Sequence, residues 1–115
     1  MQYSGELVMD VSRRGPASVV RLVGAVGMAE ASMLSRQLDE LVQKPGSVVV
    51  LDLEHLEFMC SSGLGALLSA HAKARPFQGQ VSLASPSPMV LRLLETTRLT
   101  NLFPVYASVD EAIVG

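Results

Sequence analysis

The chain has 115 residues, 49% of them apolar and 17% charged, a balance that builds a packed core and excludes a disordered segment. Its formal net charge is -2 and no basic block interrupts it, which excludes the electrostatic footprint of a nucleic-acid binder or a membrane-surface helix. No apolar run approaches the roughly 18 residues of a membrane span.

Leu7 to Val11 alternates and predicts a first strand. Arg13-Arg14-Gly15-Pro16 is a turn signal, and the β-branched run Ser18 to Val23 predicts a second strand antiparallel to the first. Gly24 to Ala29 reads as a small-residue loop. Met33, Leu34, Leu38, Leu41 and Val42 then recur at helical spacing, with Glu30 or Ser32 helping to begin that helix and Lys44-Pro45-Gly46 ending it.

Val48 to Leu53 is the strongest strand signal, a continuous apolar run that suits a central strand covered on both faces. After Glu54 to Met59 comes a loop, Phe58 to Gly65. Leu64, Leu67, Leu68 and His71 then mark a second helix reaching about Ala74. Pro76 to Gly79 is a turn and Gln80 to Ala84 a strand. Ser85-Pro86-Ser87-Pro88 starts a third helix whose Met89, Val90, Leu93 and Leu94 face inward. Leu99 to Val105 crosses back, and Ser108 to Ala112 opens a short last helix. Strands alternating with helices predict an α/β layer fold: a mixed, mostly parallel sheet of four to five strands, an antiparallel N-terminal edge and about four helices. Without linker or repeat, residues 1–115 are expected to form one domain.

The segment after the central strand is where open α/β folds place function. It reads Phe58-Met59-Cys60-Ser61-Ser62-Gly63-Leu64-Gly65. Its local chemistry leaves two readings open. In one, a serine caps the helix and Gly63 and Gly65 permit close packing. In the other, the free N–H groups and positive dipole end of the helix accommodate a phosphate carried by Ser61.

Other constellations are weaker. His55 and His71 are far apart and lack metal-ligand spacing. Asp52, Glu54 and Glu57 have no partner that completes an acid/base site. Gly-x-Ser-x-Gly, the Walker motif and Gly-x-Gly-x-x-Gly are absent. Neither metal, cofactor nor catalysis is expected. Cys60 cannot form an internal disulfide and reads as an inert small hydrophobe, with a redox-sensitive thiol as the alternative. Met28 and Met59, if exposed, would form an adaptable apolar docking patch.

The stretch Val48 to Leu68, with Leu51-Asp52-Leu53, Phe58-Met59 and Ser61-Ser62-Gly63-Leu64-Gly65, resembles the STAS domains of anti-sigma factor antagonists. Ser85-Pro86-Ser87-Pro88 with Val90 and Leu93-Leu94, Leu99 to Tyr106, and Glu111-Ala112 continue the likeness over essentially the whole chain. The resemblance implies partner switching. The antagonist binds an anti-sigma factor, typically a GHKL-type serine kinase, which phosphorylates the first serine of the motif. Here that phosphoacceptor is Ser61. A serine phosphatase resets it. Met28, Met59, Cys60, Ser61, Ser62, Gly63, Leu64 and Gly65 form the implied switch loop and partner-binding surface. No contact with nucleic acid and no membrane insertion are implied, and Met1 to Asp10 lacks the pattern of a signal peptide, so the expected location is cytoplasmic. The alternative is an unphosphorylated STAS scaffold or accessory subunit, for example of a transport ATPase. Two departures bear on the choice. Cys60 stands where the family usually has Asp, and Gly24-Ala25-Val26-Gly27 replaces an acidic Gly-Glu-Leu-Asp pattern.

Overall fold

The computed structural model describes residues 7–114, so the reading of Met1 to Asp10 as lacking a signal peptide rests in its first six residues on positions outside the described ones. Strand β1 (Leu7–Arg14) and strand β2 (Ala17–Val26) form the antiparallel hairpin. Both strands are longer than the apolar pattern suggests, and the turn shrinks to Gly15-Pro16. Gly15 there adopts φ 62°, a left-handed conformation that suits a residue without Cβ.

The predicted loop Gly24–Ala29 is not a loop. Strand β2 continues to Val26, and helix α1 (Met28–Val42) begins after Gly27 alone. Two things make this short junction possible. Gly24 turns through φ 111° and keeps β2 paired with its neighbour. The Gly27 N–H donates to the Glu30 carboxylate at 3.1 Å, closing the first turn of α1. Ala31, Leu34, Leu38 and Val42 form the buried stripe of α1. Met33, expected on that stripe, lies one residue off it and is exposed.

Strand β3 (Val48–Met59) is the middle strand of a five-stranded sheet in the order β1-β2-β3-β4-β5, parallel to β2 on one side and to β4 (Gln80–Ala84) on the other. It runs six residues beyond the predicted strand. Opposite β2 it carries an extra residue between Asp52 and His55 and another between Leu56 and Phe58. Each irregularity advances the inward face by three positions instead of two. Val49, Leu51, Leu53, Leu56 and Met59 therefore all reach the main core. A plain period of two would have put His55 and Glu57 there.

Helix α2 (Ser61–Ala74) follows after Cys60 alone, and a 3-10 turn at Arg75–Phe77 ends it. Helix α3 (Pro88–Thr96) buries Val90 and Leu94, with Leu93 partly covered. Met89 does not face inward as expected; at the second helical position it falls off that stripe and is exposed. A second 3-10 turn, Leu99–Asn101, leads to the fifth strand, β5 (Val105–Tyr106), and then to helix α4 (Val109–Val114). Ser108 begins α4 as expected: its hydroxyl accepts the Glu111 N–H at 3.1 Å.

The core has two parts. Helices α1, α2 and α3 bury their apolar stripes with Leu22, Leu51, Leu53, Leu83 and Phe103. Behind the sheet, Ala112 of α4 packs with Ala17, Val19, Val50 and Ala84. The apolar run in β3 is thus covered on both faces only near its start, because α4 is six residues long.

Candidate functional site

The parallel pairing of β2 with β3 brings two helix starts together. Val26 is registered with Met59, and the Cys60 N–H donates to the Val26 carbonyl at 2.9 Å. One residue later in each strand, Gly27 and Cys60 hold the N-cap positions of α1 and α2. The two positive dipole ends therefore lie at the same end of the sheet.

Cys60 is the N-cap of α2, with extended backbone. Ser61 and Ser62 are the first two helical residues, and both are exposed. The serine-cap reading fails on this register: an N-cap side chain reaches forward to the second or third amide, and a serine already inside the helix cannot. No side chain caps α2. Its first intrahelical bond runs from the Leu64 N–H to the Cys60 carbonyl at 3.1 Å. The N–H groups of Ser61, Ser62 and Gly63 precede that bond and have no acceptor within the helix. An exposed hydroxyl thus stands at a helix start whose amides can receive an anion.

The glycines of the motif play different parts. A Cβ on Gly63 would lie 2.6 Å from Met59 Cγ and 2.9 Å from Val26 Cγ1, so α2 can seat on the sheet only without one. A Cβ on Gly65 would meet nothing within 4 Å, contrary to the expectation of close packing. Gly65 instead keeps low the floor of a shallow groove of about 380 Å³ between α1 and α2. Met28, Ala31, Ser32 and Ser35 line it from α1, and Ser62, Gly65, Ala66 and Ser69 from α2. Leu64 is buried in the main core. Lys73 Nζ, donating to Asp39 Oδ2 at 2.8 Å, ties the far ends of the same two helices.

The pairing of Met28 with Met59 is corrected. Met28 is 78% exposed at the start of α1, whereas Met59 is 2% exposed and lies under Gly63. Met89, in the first turn of α3, is exposed in its place, 54% accessible. It borders an apolar groove of about 300 Å³ with Phe58, Leu93 and the aliphatic stem of Arg92. Helical periodicity assigns Met89 to the core, and no local signal separates the two outcomes. Ser87 holds the N-cap position of α3 but forms no side-chain capping bond. Its Oγ donates to the Leu56 carbonyl at 2.9 Å, which fastens the start of α3 to the end of β3.

Cys60 is partly buried, and His55 and His71 remain apart, His71 stacking edge-on against Phe103 at 5.4 Å. Among the described residues no cluster of three or more His, Cys, Asp or Glu side chains could hold a metal, and no helix is long and apolar enough to cross a membrane.

Residues 8–112 match the STAS domain family. The anti-sigma F factor antagonist of Paenibacillus polymyxa is 34% identical over 89 residues, covering 76% of each chain. The crystal structure of an anti-sigma factor antagonist from Mycobacterium paratuberculosis superposes with a TM-score of 0.86 and 26% identity, over 99% of this chain and 97% of the other. An anti-sigma-factor antagonist (STAS) domain protein from Planctomyces limnophilus shares the fold at a TM-score of 0.78 and 22% identity, over 92% and 95% of the two chains. With the sequence match spanning nearly every described residue and the same arrangement of sheet and helices in both structures, this chain belongs to the STAS domain family.

Proposed function

We propose that this protein is an anti-sigma factor antagonist that works by partner switching, with Ser61 as its phosphoacceptor. Unmodified, it docks on an anti-sigma factor of the GHKL serine-kinase type and so releases a sigma factor. The kinase transfers the terminal phosphate of ATP to Ser61 Oγ, and the antagonist dissociates. A serine phosphatase hydrolyses the ester and restores binding. The protein itself catalyses nothing in this cycle; it is a substrate and a ligand.

The observation that carries this reading is the position of Ser61: exposed, first in α2, and free of any capping bond. A phosphate there adds about -1.5 to -2 charges. The uncapped amides and the dipole can hold it without melting the helix. The modification then acts on the docked partner through charge and volume and leaves the fold in place. The groove between α1 and α2, and the exposed Met28 at its end, supply surface beside the acceptor for that partner.

The second reading, constitutive binding without phosphorylation, is favoured by one feature: no acidic residue lies in the first turn of α2. A single experiment separates the two. The cognate kinase, incubated with labelled ATP, is expected to modify one peptide, the one containing Ser61. Ser61→Asp is expected to weaken binding to the kinase and Ser61→Ala to preserve it. Label on another residue, or normal binding by Ser61→Asp, would sink the switch.

A further inference from the structure

Among the described residues, strand β1 is the outer strand of the sheet and pairs only with β2. Among the described residues nothing pairs with the other side of its backbone from Leu7 to Arg14, whereas the opposite edge strand, β5, has two residues. A long open edge is a template for another strand. Its charges are ordered. On the α4 side of the sheet Asp10 is registered with Arg21, and Arg21 with Asp52, so the row crossing β1, β2 and β3 alternates acid, base, acid. Arg14 projects from the same side of β1 as Asp10, four residues on.

We propose that the β1 edge pairs antiparallel with β1 of a second copy of this chain, in the register that sets Asp10 of each copy opposite Arg14 of the other. Only alternate residues of an edge strand turn their amides outward, so residues facing each other across a two-fold axis have the same parity. That leaves few registers. Centring on Asp10 opposes two like charges. Centring on Val11 sets Asp10 against Ser12 and Val8 against Arg14. Centring on Ser12 sets Asp10 against Arg14 twice and extends the row to Asp52, Arg21, Asp10 and Arg14 of the second copy. Cross-strand pairs of opposite charge stabilise a ladder, and like pairs oppose it.

The surroundings fit. Arg14 already holds Asp110, and its planar fork has donors enough for a second carboxylate. Val11, 43% exposed, would be covered by the aliphatic stem of Arg13 from the other copy. Gly15-Pro16 ends the ladder, because proline has no N–H to give. Five residues from each strand make a short, reversible junction that joins two sheets into one.

The test is sedimentation of the full chain from low micromolar to millimolar concentration, with Cys60→Ser as the background for cross-linking. A concentration-dependent dimer is expected. Asp10→Arg should raise its dissociation constant about tenfold or more, two opposed pairs having become repulsive. Adding Arg14→Asp, with Asp110→Asn to spare it an intramolecular repulsion, should restore dimerisation. Oxidised Ser12→Cys should form a disulfide-linked dimer, since Ser12 meets itself on the axis, and Val11→Cys should not. A monomer at millimolar concentration, a dimer indifferent to Asp10→Arg in a variant whose circular dichroism is native, or cross-linking through Val11→Cys in place of Ser12→Cys would each overturn the proposal.

Discussion

Gly63 lies directly on Met59: the space a Cβ would take at position 63 is already filled, 2.6 Å from Met59 Cγ and 2.9 Å from Val26 Cγ1. This contact sets how closely the start of α2 approaches the ends of β2 and β3, and so where Ser61 stands. Gly63→Ala gains helix propensity but must displace two buried side chains. It is expected to destabilise the protein by about 1–3 kcal/mol, the usual cost of overpacking. Urea denaturation would read this as a lower midpoint at unchanged slope; an unchanged midpoint would show that the contact relaxes without cost.

Gly65 gives the opposite expectation. Open space surrounds its missing Cβ, and it lies inside a helix. Gly65→Ala is therefore expected to raise stability by about 0.5–1 kcal/mol, the propensity difference between the two residues. The same methyl would rise into the groove between α1 and α2. If that groove receives the anti-sigma factor, the variant binds its partner more weakly while melting at a higher temperature.

Stability and binding should also part company at Ser61. A carboxylate in the first turn of a helix interacts favourably with the dipole by about 0.3–1 kcal/mol. Ser61→Asp should thus melt at or slightly above the wild-type temperature even though it is expected to lose affinity for the kinase. Thermal unfolding followed by circular dichroism checks the first half. A clear fall in melting temperature would mean that loss of binding in this variant reports damage to the fold.

Ser87 and Ser61 provide a matched comparison. Ser87 Oγ bonds the Leu56 carbonyl across 31 positions of sequence, whereas Ser61 forms no capping bond. Ser87→Ala is expected to cost about 1 kcal/mol, with the Leu56 carbonyl left short of a donor. Ser61→Ala should stay within about 0.5 kcal/mol, as surface substitutions do. Equal effects in the two variants would contradict this division of labour.

Much of the molecule could be read from its residues in order. The apolar run from Val48, the helical spacing of Leu34, Leu38 and Val42, and the turn at Gly15-Pro16 are local signals. They reflect backbone preferences and the periodicities of helix and strand, which neighbours along the chain determine. The motif Ser61-Ser62-Gly63-Leu64-Gly65 likewise carried the family resemblance, and the family it suggested is the one to which the chain belongs.

What the linear pattern could not resolve depends on contacts between distant elements. The irregular pairing of β3 with β2 redirects Leu56 and Met59 inward, and nothing within residues 54 to 59 announces it, because the register belongs to two strands at once. The same long-range pairing abolished the Gly24–Ala29 loop and placed Gly27 and Cys60 side by side. Met59 and Met89 exchanged roles for a similar reason. Both suit a core or a surface, and only the packing of α2 and α3 against the sheet buried one and exposed the other. Residue order alone places a serine pair at the start of a helix after the central strand. Tertiary structure decided that Cys60 takes the cap position and leaves the Ser61 hydroxyl exposed, because the end of β3 is held in register by Val26 and α2 can begin only one residue later.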